Sequence, residues 1–160
     1  NGPTWTQGKV DGALNFDGTN DFVEVSGFAS PTTLTYSLWL KNEDVSFSPW
    51  TTLLEFGNDS PFFGLYNGAP GFAGGAIGTV PVAQNWLHVV ASAEASTTKI
   101  FLQGSLNVTK TDSEFNKNGQ GLGIGYRSGD SHFKGIIDDV RIYDRALSPA
   151  EVQALYQSGQ

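Results

Sequence analysis

The 160-residue chain contains no cysteine. That absence excludes thiolate metal sites, cysteine nucleophiles and disulfides, and leaves the redox compartment open. Basic residues are few: nine Lys and Arg are scattered among sixteen Asp and Glu, for a net charge of −7. Nucleic acid phosphates need clustered Lys and Arg, so a nucleic acid partner is not expected. An acidic chain is also poorly matched to an anionic membrane surface. No apolar run approaches membrane-spanning length and no secretory leader opens the sequence, so membrane insertion is not expected. The first residue is Asn1 rather than Met, which suggests a domain excised from a larger protein.

What the chain does have is glycine and aromatic residues. Twenty Gly and 12% aromatics with only 16% charged residues suit many short strands joined by tight turns. Residues 1–12 read as a loop anchored by Trp5. Residues 13–16 and 22–25 read as a hairpin around the acidic turn Asp17-Gly18-Thr19-Asn20-Asp21. In the strand over 33–41, Tyr36, Leu38 and Leu40 alternate with Thr35, Ser37 and Trp39, so one face is apolar. The other face carries a Trp among small polar groups and is either a ligand face or a second packing face. Further strands are expected at 51–56, 62–66, 86–92, 99–102, 105–109 and 121–126. The pattern predicts an all-β, antiparallel β-sandwich or jelly roll with one short C-terminal helix, forming a single domain over 1–160.

The closing stretch, residues 133–148, organises the rest. Read as one uninterrupted strand, it places Val140 and Ile142 on the core face and Asp138 with them. A carboxylate there must be hydrogen-bonded, paired with a cation or bound to a metal. A helix start follows: Ser148 as N-cap, Pro149 at the first helical position and Glu151 completing a capping box. Val152, Leu155 and Tyr156 give the helix one apolar side, and Gly159 ends it.

This stretch resembles the C-terminal signature of laminin-G-like domains of the concanavalin A-like lectin and glucanase superfamily. The resemblance extends through residues 8–25, 34–41, 86–90 and 123–125, and so covers most of the chain. It implies a concanavalin A-like sandwich and a structural calcium joining the first hairpin to the last strand, held by Asp17, Asn20, Asp21 and Asp138. The residues themselves leave two readings open. An acidic turn beside glycine supplies the oxygens that calcium needs; equally, the turn is only a turn and Asp138 is satisfied by backbone N–H groups.

A carbohydrate surface is the second expectation, because sugar rings stack on exposed aromatics beside Asn, Asp and Arg. Trp50, Phe62, Tyr66 and Phe72 accompany Asn58, Asp59 and Asn67 in the irregular middle segment. Tyr126, Arg127, Asp130 and His132 occupy the last long loop. Trp50 is the leading platform candidate and Trp39 the second. Catalysis is not expected. The superfamily's glucanases pair carboxylates on one strand, and no Glu-x-Asp-x-x-Glu run occurs here. His88 lies within a strand and reads as a packed residue. The expected role is a non-catalytic, secreted or cell-surface module that binds polysaccharide and sits beside other domains of a parent protein. The competing expectation is a protein-binding or spacer module, and a glycan-active enzyme is third.

Overall fold

A computed structural model of the chain describes residues 2–29, 31–44, 50–57, 62–79, 85–111, 113, 120–126 and 132–160. Along them run β1 (Thr4–Gln7), β2 (Gly12–Asp17), β3 (Val23–Ala29), β4 (Leu34–Asn42), β5 (Trp50–Phe56) and β6 (Phe63–Tyr66). Then follow β7 (Ala69–Phe72), β8 (Leu87–Glu94), β9 (Thr97–Leu102), β10 (Ser105–Lys110), β11 (Gln120–Ile124), β12 (Lys134–Tyr143) and α1 (Pro149–Ser158). They build two antiparallel sheets, one in the order β1-β2-β12-β4-β8-β9-β10 and one in the order β3-β11-β5-β6-β7. This is the sandwich that the strand pattern predicts.

The core lies between the sheets, where Tyr36, Leu38 and Leu40 of β4 meet Leu54 and Phe56 of β5 and Phe63 and Leu65 of β6. The Tyr36 ring sits 5.9 to 6.0 Å from those of Phe56, Phe63 and Phe72, so its aromatic area joins the two layers. Thr35, Ser37 and Trp39 project from the opposite face of the sheet, as the alternation requires. Helix α1 covers that face, packing Val152 and Leu155 against Val90, Phe101 and Leu147.

The helix forms as its sequence dictates. The Ser148 hydroxyl accepts the Glu151 N–H, and the Glu151 carboxylate accepts the Ser148 N–H. Arg145 also donates to Glu151 at 2.6 Å, and chiefly this contact, with Ser148 adding to it, holds the Glu151 carboxyl down at about 2. Gly159 ends the helix without a left-handed backbone, its φ being −102°. The glycine is needed for space, because a Cβ there would meet the Trp39 indole at 2.5 to 3.0 Å.

Three expectations are corrected. The first segment is not a loop: β1 pairs with β2, and Trp5, 78% exposed, anchors nothing. Its edge position explains the absence of apolar alternation in Thr4, Thr6 and Gln7. Next, residues 13–16 and 22–25 do not form a hairpin. β2 belongs to the seven-stranded sheet and β3 to the five-stranded one, so the acidic turn is a corner between layers.

The third correction falls on β12. Asp138 pairs with Trp39 but Arg141 pairs with Ser37, so one extra residue is inserted between them, and Asp139 takes a φ of 48°. Such a bulge reverses the facing of everything beyond it. Ile137 before it and Val140 and Ile142 after it all pack on the core. Asp138 therefore shares the outer face with Trp39, its cross-strand partner, and is not turned toward the core.

Candidate functional site

Asp138 is buried, and the structure gives it three backbone donors. Its Oδ2 accepts the N–H groups of Lys9 and Val10, each at 2.7 Å, and its Oδ1 accepts the N–H of Asp139, also at 2.7 Å. Charge-assisted bonds of this length are the strong class. They tie the loop between β1 and β2 to the last strand of the sheet. Gly8 completes the cradle, because a Cβ there would collide with the Asp138 carboxylate.

The corner residues are organised separately. Asp17 Oδ1 accepts the N–H groups of Thr19 and Asn20 at 2.7 and 3.3 Å, while the buried Asp21 accepts the Asp17 N–H at 3.0 Å. The Thr19 bond is the largest of several influences that lower the Asp17 carboxyl below the ordinary carboxylate range. Across the β2–β12 pairing, Asp17 stands opposite Lys134 and Leu14 opposite Ile137. Asp138 thus lies four residues along β12 from the position facing Asp17, about 13 Å at strand rise. One calcium cannot take Asp138 together with Asp17, Asn20 and Asp21. Among the described residues, no group of three or more His, Asp or Glu is placed to hold a metal ion.

Trp39, expected as a second platform, is only 2% exposed. Its ring lies 5.0 Å from that of His88 and 5.7 Å from that of Tyr156, and Lys9 Nζ stands 5.3 Å from its centroid. The polar neighbours in sequence mark the packing face under α1, so Trp39 cannot receive a ligand there. His88, buried beside it, shares a 3.1 Å hydrogen bond with the Ser37 hydroxyl. Burial is the main cause that pushes its imidazole down to about 4. A serine–histidine contact of this kind has no route to a substrate, since Ser37 is buried as well.

Trp50 sits in a different setting. It opens β5 opposite Tyr66, the last residue of β6. Phe63 and Leu65 point into the core, so Tyr66 and its cross-strand partner Trp50 occupy the outer face of the five-stranded sheet. The two rings are 5.0 Å apart, with the buried Phe62 ring 4.9 Å from Trp50 and nearly perpendicular to it. Gly64, between Phe62 and Tyr66 in sequence, has no room for a side chain: a Cβ there would collide with the Thr51 carbonyl and also press on the Phe62 ring. Tyr66 is 38% exposed and Trp50 half-buried, which leaves a ring pair at the surface over a fixed aromatic base.

A second ring group stands at the same end of that sheet. Ile124 of β11 pairs with Leu54 on one side and Val23 on the other, and Gly125 N–H donates to Leu53 O. The end of β11 and the start of β3 therefore stand level with Leu53 and Leu54 of β5, a few residues along that strand from Trp50. The Tyr126 ring lies 5.2 Å from that of Phe22 and 4.8 Å from that of His132, tilted against each. Phe22 and His132 were not singled out as a pair by the sequence. The available signal was parity, since Phe22 alternates with the core-facing Val23. Asn58, Asp59 and Arg127 lie outside the described residues. Phe72 is core.

These features define a concanavalin A-like β-sandwich with aromatic groups at one end of its smaller sheet. The family model described as the concanavalin A-like lectin/glucanases superfamily, in its laminin G form, matches residues 17–153. The chain belongs to that family. No curated protein sequence matches it.

Among solved structures, domain 4 of AbnA, an extracellular GH43 arabinanase from Geobacillus stearothermophilus solved with arabinotriose, superimposes with a TM-score of 0.80. It is 24% identical, over 97% of this chain and 81% of that one. The heptameric SAP-like pentraxin of Limulus polyphemus gives a TM-score of 0.73 at 13% identity, covering 90% and 81%. The ligand-binding domain of botulinum neurotoxin serotype D, solved with N-acetylneuraminic acid, gives 0.72 at 14% identity. There the alignment covers 97% of this chain but only 44% of the toxin domain. At these identities the likeness establishes the fold. No helix among the described residues is long and apolar enough to cross a membrane.

Proposed function

We propose that the chain is a non-catalytic module that binds polysaccharide on the Trp50–Tyr66 ring pair and serves a larger secreted or cell-surface protein. The observation that carries this reading is the pair itself: two rings 5.0 Å apart on the outer face of a rigid sheet, braced by Phe62. Sugar C–H faces stack on such rings, and a strand-borne pair is held more rigidly than one on a loop. The arabinotriose and N-acetylneuraminic acid bound by two structural relatives support a glycan as ligand class. A module of this kind acts by raising the local substrate concentration for its partner domain.

Retardation of the protein in gels containing plant or algal polysaccharides tests the reading. Slowing by one polymer class, lost in Trp50→Ala, is the expected result; equal mobility in every polymer overturns it. Calcium enters this proposal only at the corner, where Asp17, Asn20 and Asp21 stand within five residues of one another. Chelator is then expected to lower the melting temperature, and an unchanged melt removes calcium from the account.

A protein-contact role is favoured by one observation. Trp5 on the edge strand β1, and Val25 and Phe28 on the edge strand β3, are large apolar side chains left exposed. If no glycan binds, these edges become the surfaces to probe.

A further inference from the structure

We infer that Phe22, Tyr126 and His132 form a second sugar subsite, so that the module takes a neutral glycan chain laid across the strand ends and not a single terminal sugar. This rests on the glycan reading of Trp50 and Tyr66. The strand order places β3 two positions from β5, with β11 between them. Two strand spacings are about 10 Å, and Trp50 lies roughly 10 Å further along β5 from the level of Phe22, so Phe22 stands beyond the reach of one sugar ring seated on Trp50. Tyr126, two residues past the end of the intervening strand, lies against Phe22.

The subsite is formed by the fold's own constraints. Phe133 N–H donates to Gly125 O at 2.9 Å, which holds His132 beside Tyr126. Gly125, at a φ of 79°, packs so tightly on Phe16 that a Cβ would come within 2.5 Å of that ring. Phe22 is 42% exposed although its ring is already paired with Tyr126. The group thus offers an accessible ring face, a phenol and an imidazole, the two chemistries that sugar recognition combines.

Charge selects the neutral class. Asp17 and Asp21 flank the subsite, Lys134 stands opposite Asp17, and the whole chain carries −7. A polyuronate would meet like charge along this surface, whereas an uncharged chain would not.

Isothermal titration with arabino-, xylo- and gluco-oligosaccharides from monomer to hexamer tests the inference, with polygalacturonate as the anionic probe. For the ladder that binds, affinity is expected to rise by about tenfold or more between the shortest ligand that binds and the hexamer, about 1.4 kcal/mol. Phe22→Ala and Tyr126→Ala should flatten the rise while keeping affinity for the shortest ligand. Phe22→Leu, which keeps an apolar side chain but removes the ring, should behave as Phe22→Ala does. Affinity independent of length, or an unchanged rise in these variants, overturns the second subsite and leaves the Trp50 platform standing. Polygalacturonate binding as tightly as the neutral ladder overturns the charge argument. Silence from every probe overturns the platform and the subsite together.

Discussion

Trp39 and Trp50 begin from the same position: each projects from the outer face of a sheet. The fold treats them oppositely. Trp39 is covered by α1, between His88 and Tyr156, with Gly159 brought against its indole. Trp50 lies against the rings of Tyr66 and Phe62 and keeps part of its surface in solvent. Helix α1, laid over the larger sheet, makes the Trp39 side a packing face.

Substitutions should widen that contrast. Trp39→Ala removes a buried ring stacked on two others and should cost about 4 kcal/mol, read by denaturant unfolding, without a direct effect on glycan affinity. Asp138→Ala leaves the N–H groups of Lys9, Val10 and Asp139 without their acceptor inside the fold. The expected cost is about 3 kcal/mol, and Asp138→Asn, which retains one acceptor oxygen, should cost less. If Asp138→Ala melts like the parent, the backbone tether is not what holds β1 to the sheet.

The packing face should also respond to pH. His88 titrates near 6.5 in the unfolded chain and about 4 in the fold, where burial disfavours its charged form; Asp139 and Arg141 nearby act in opposite directions. Between those values the unfolded chain binds a proton that the folded chain refuses. Stability is therefore full above pH 6.5 and falls as pH drops toward 4, by about 3 kcal/mol across the window. The carboxylates held down by hydrogen bonds, Asp17 and Glu151, act at lower pH, since their stabilisation is lost only as pH falls below the ordinary carboxylate range. Unfolding at pH 7 and pH 5 should differ in the parent and converge in His88→Gln. A difference that persists in the variant assigns the slope to another group. Trp50→Ala should have the smallest effect on stability, about 1 to 2 kcal/mol, from the loss of two ring contacts.

Much of the sandwich was legible because its signals are local. Alternation in β4, the apolar runs of β5 and β8, and the Ser148–Glu151 capping box each depend on neighbours within a few residues. The errors occurred where geometry between strands decides. One inserted residue at Asp139 turned Asp138 from the core to the outer face, and no spacing in the sequence marks that insertion. The Asp17–Asp21 turn has hairpin chemistry, yet its side chains shape a corner that sends β3 into the other sheet. Trp39 was ambiguous for the same reason, since what covers a face comes from α1, more than a hundred residues away. Phe22 and His132 meet only through Tyr126, a contact that the pairing of β3 with β11 creates.

The most direct measurement of the Trp50 platform is glycan binding by Trp50→Ala beside Trp39→Phe, both checked for folding by thermal melt. Trp50→Ala is expected to stay folded and lose retardation by the polysaccharide that slows the parent, while Trp39→Phe binds as the parent does. Retained binding in Trp50→Ala, or binding lost in a folded Trp39→Phe, would contradict the platform.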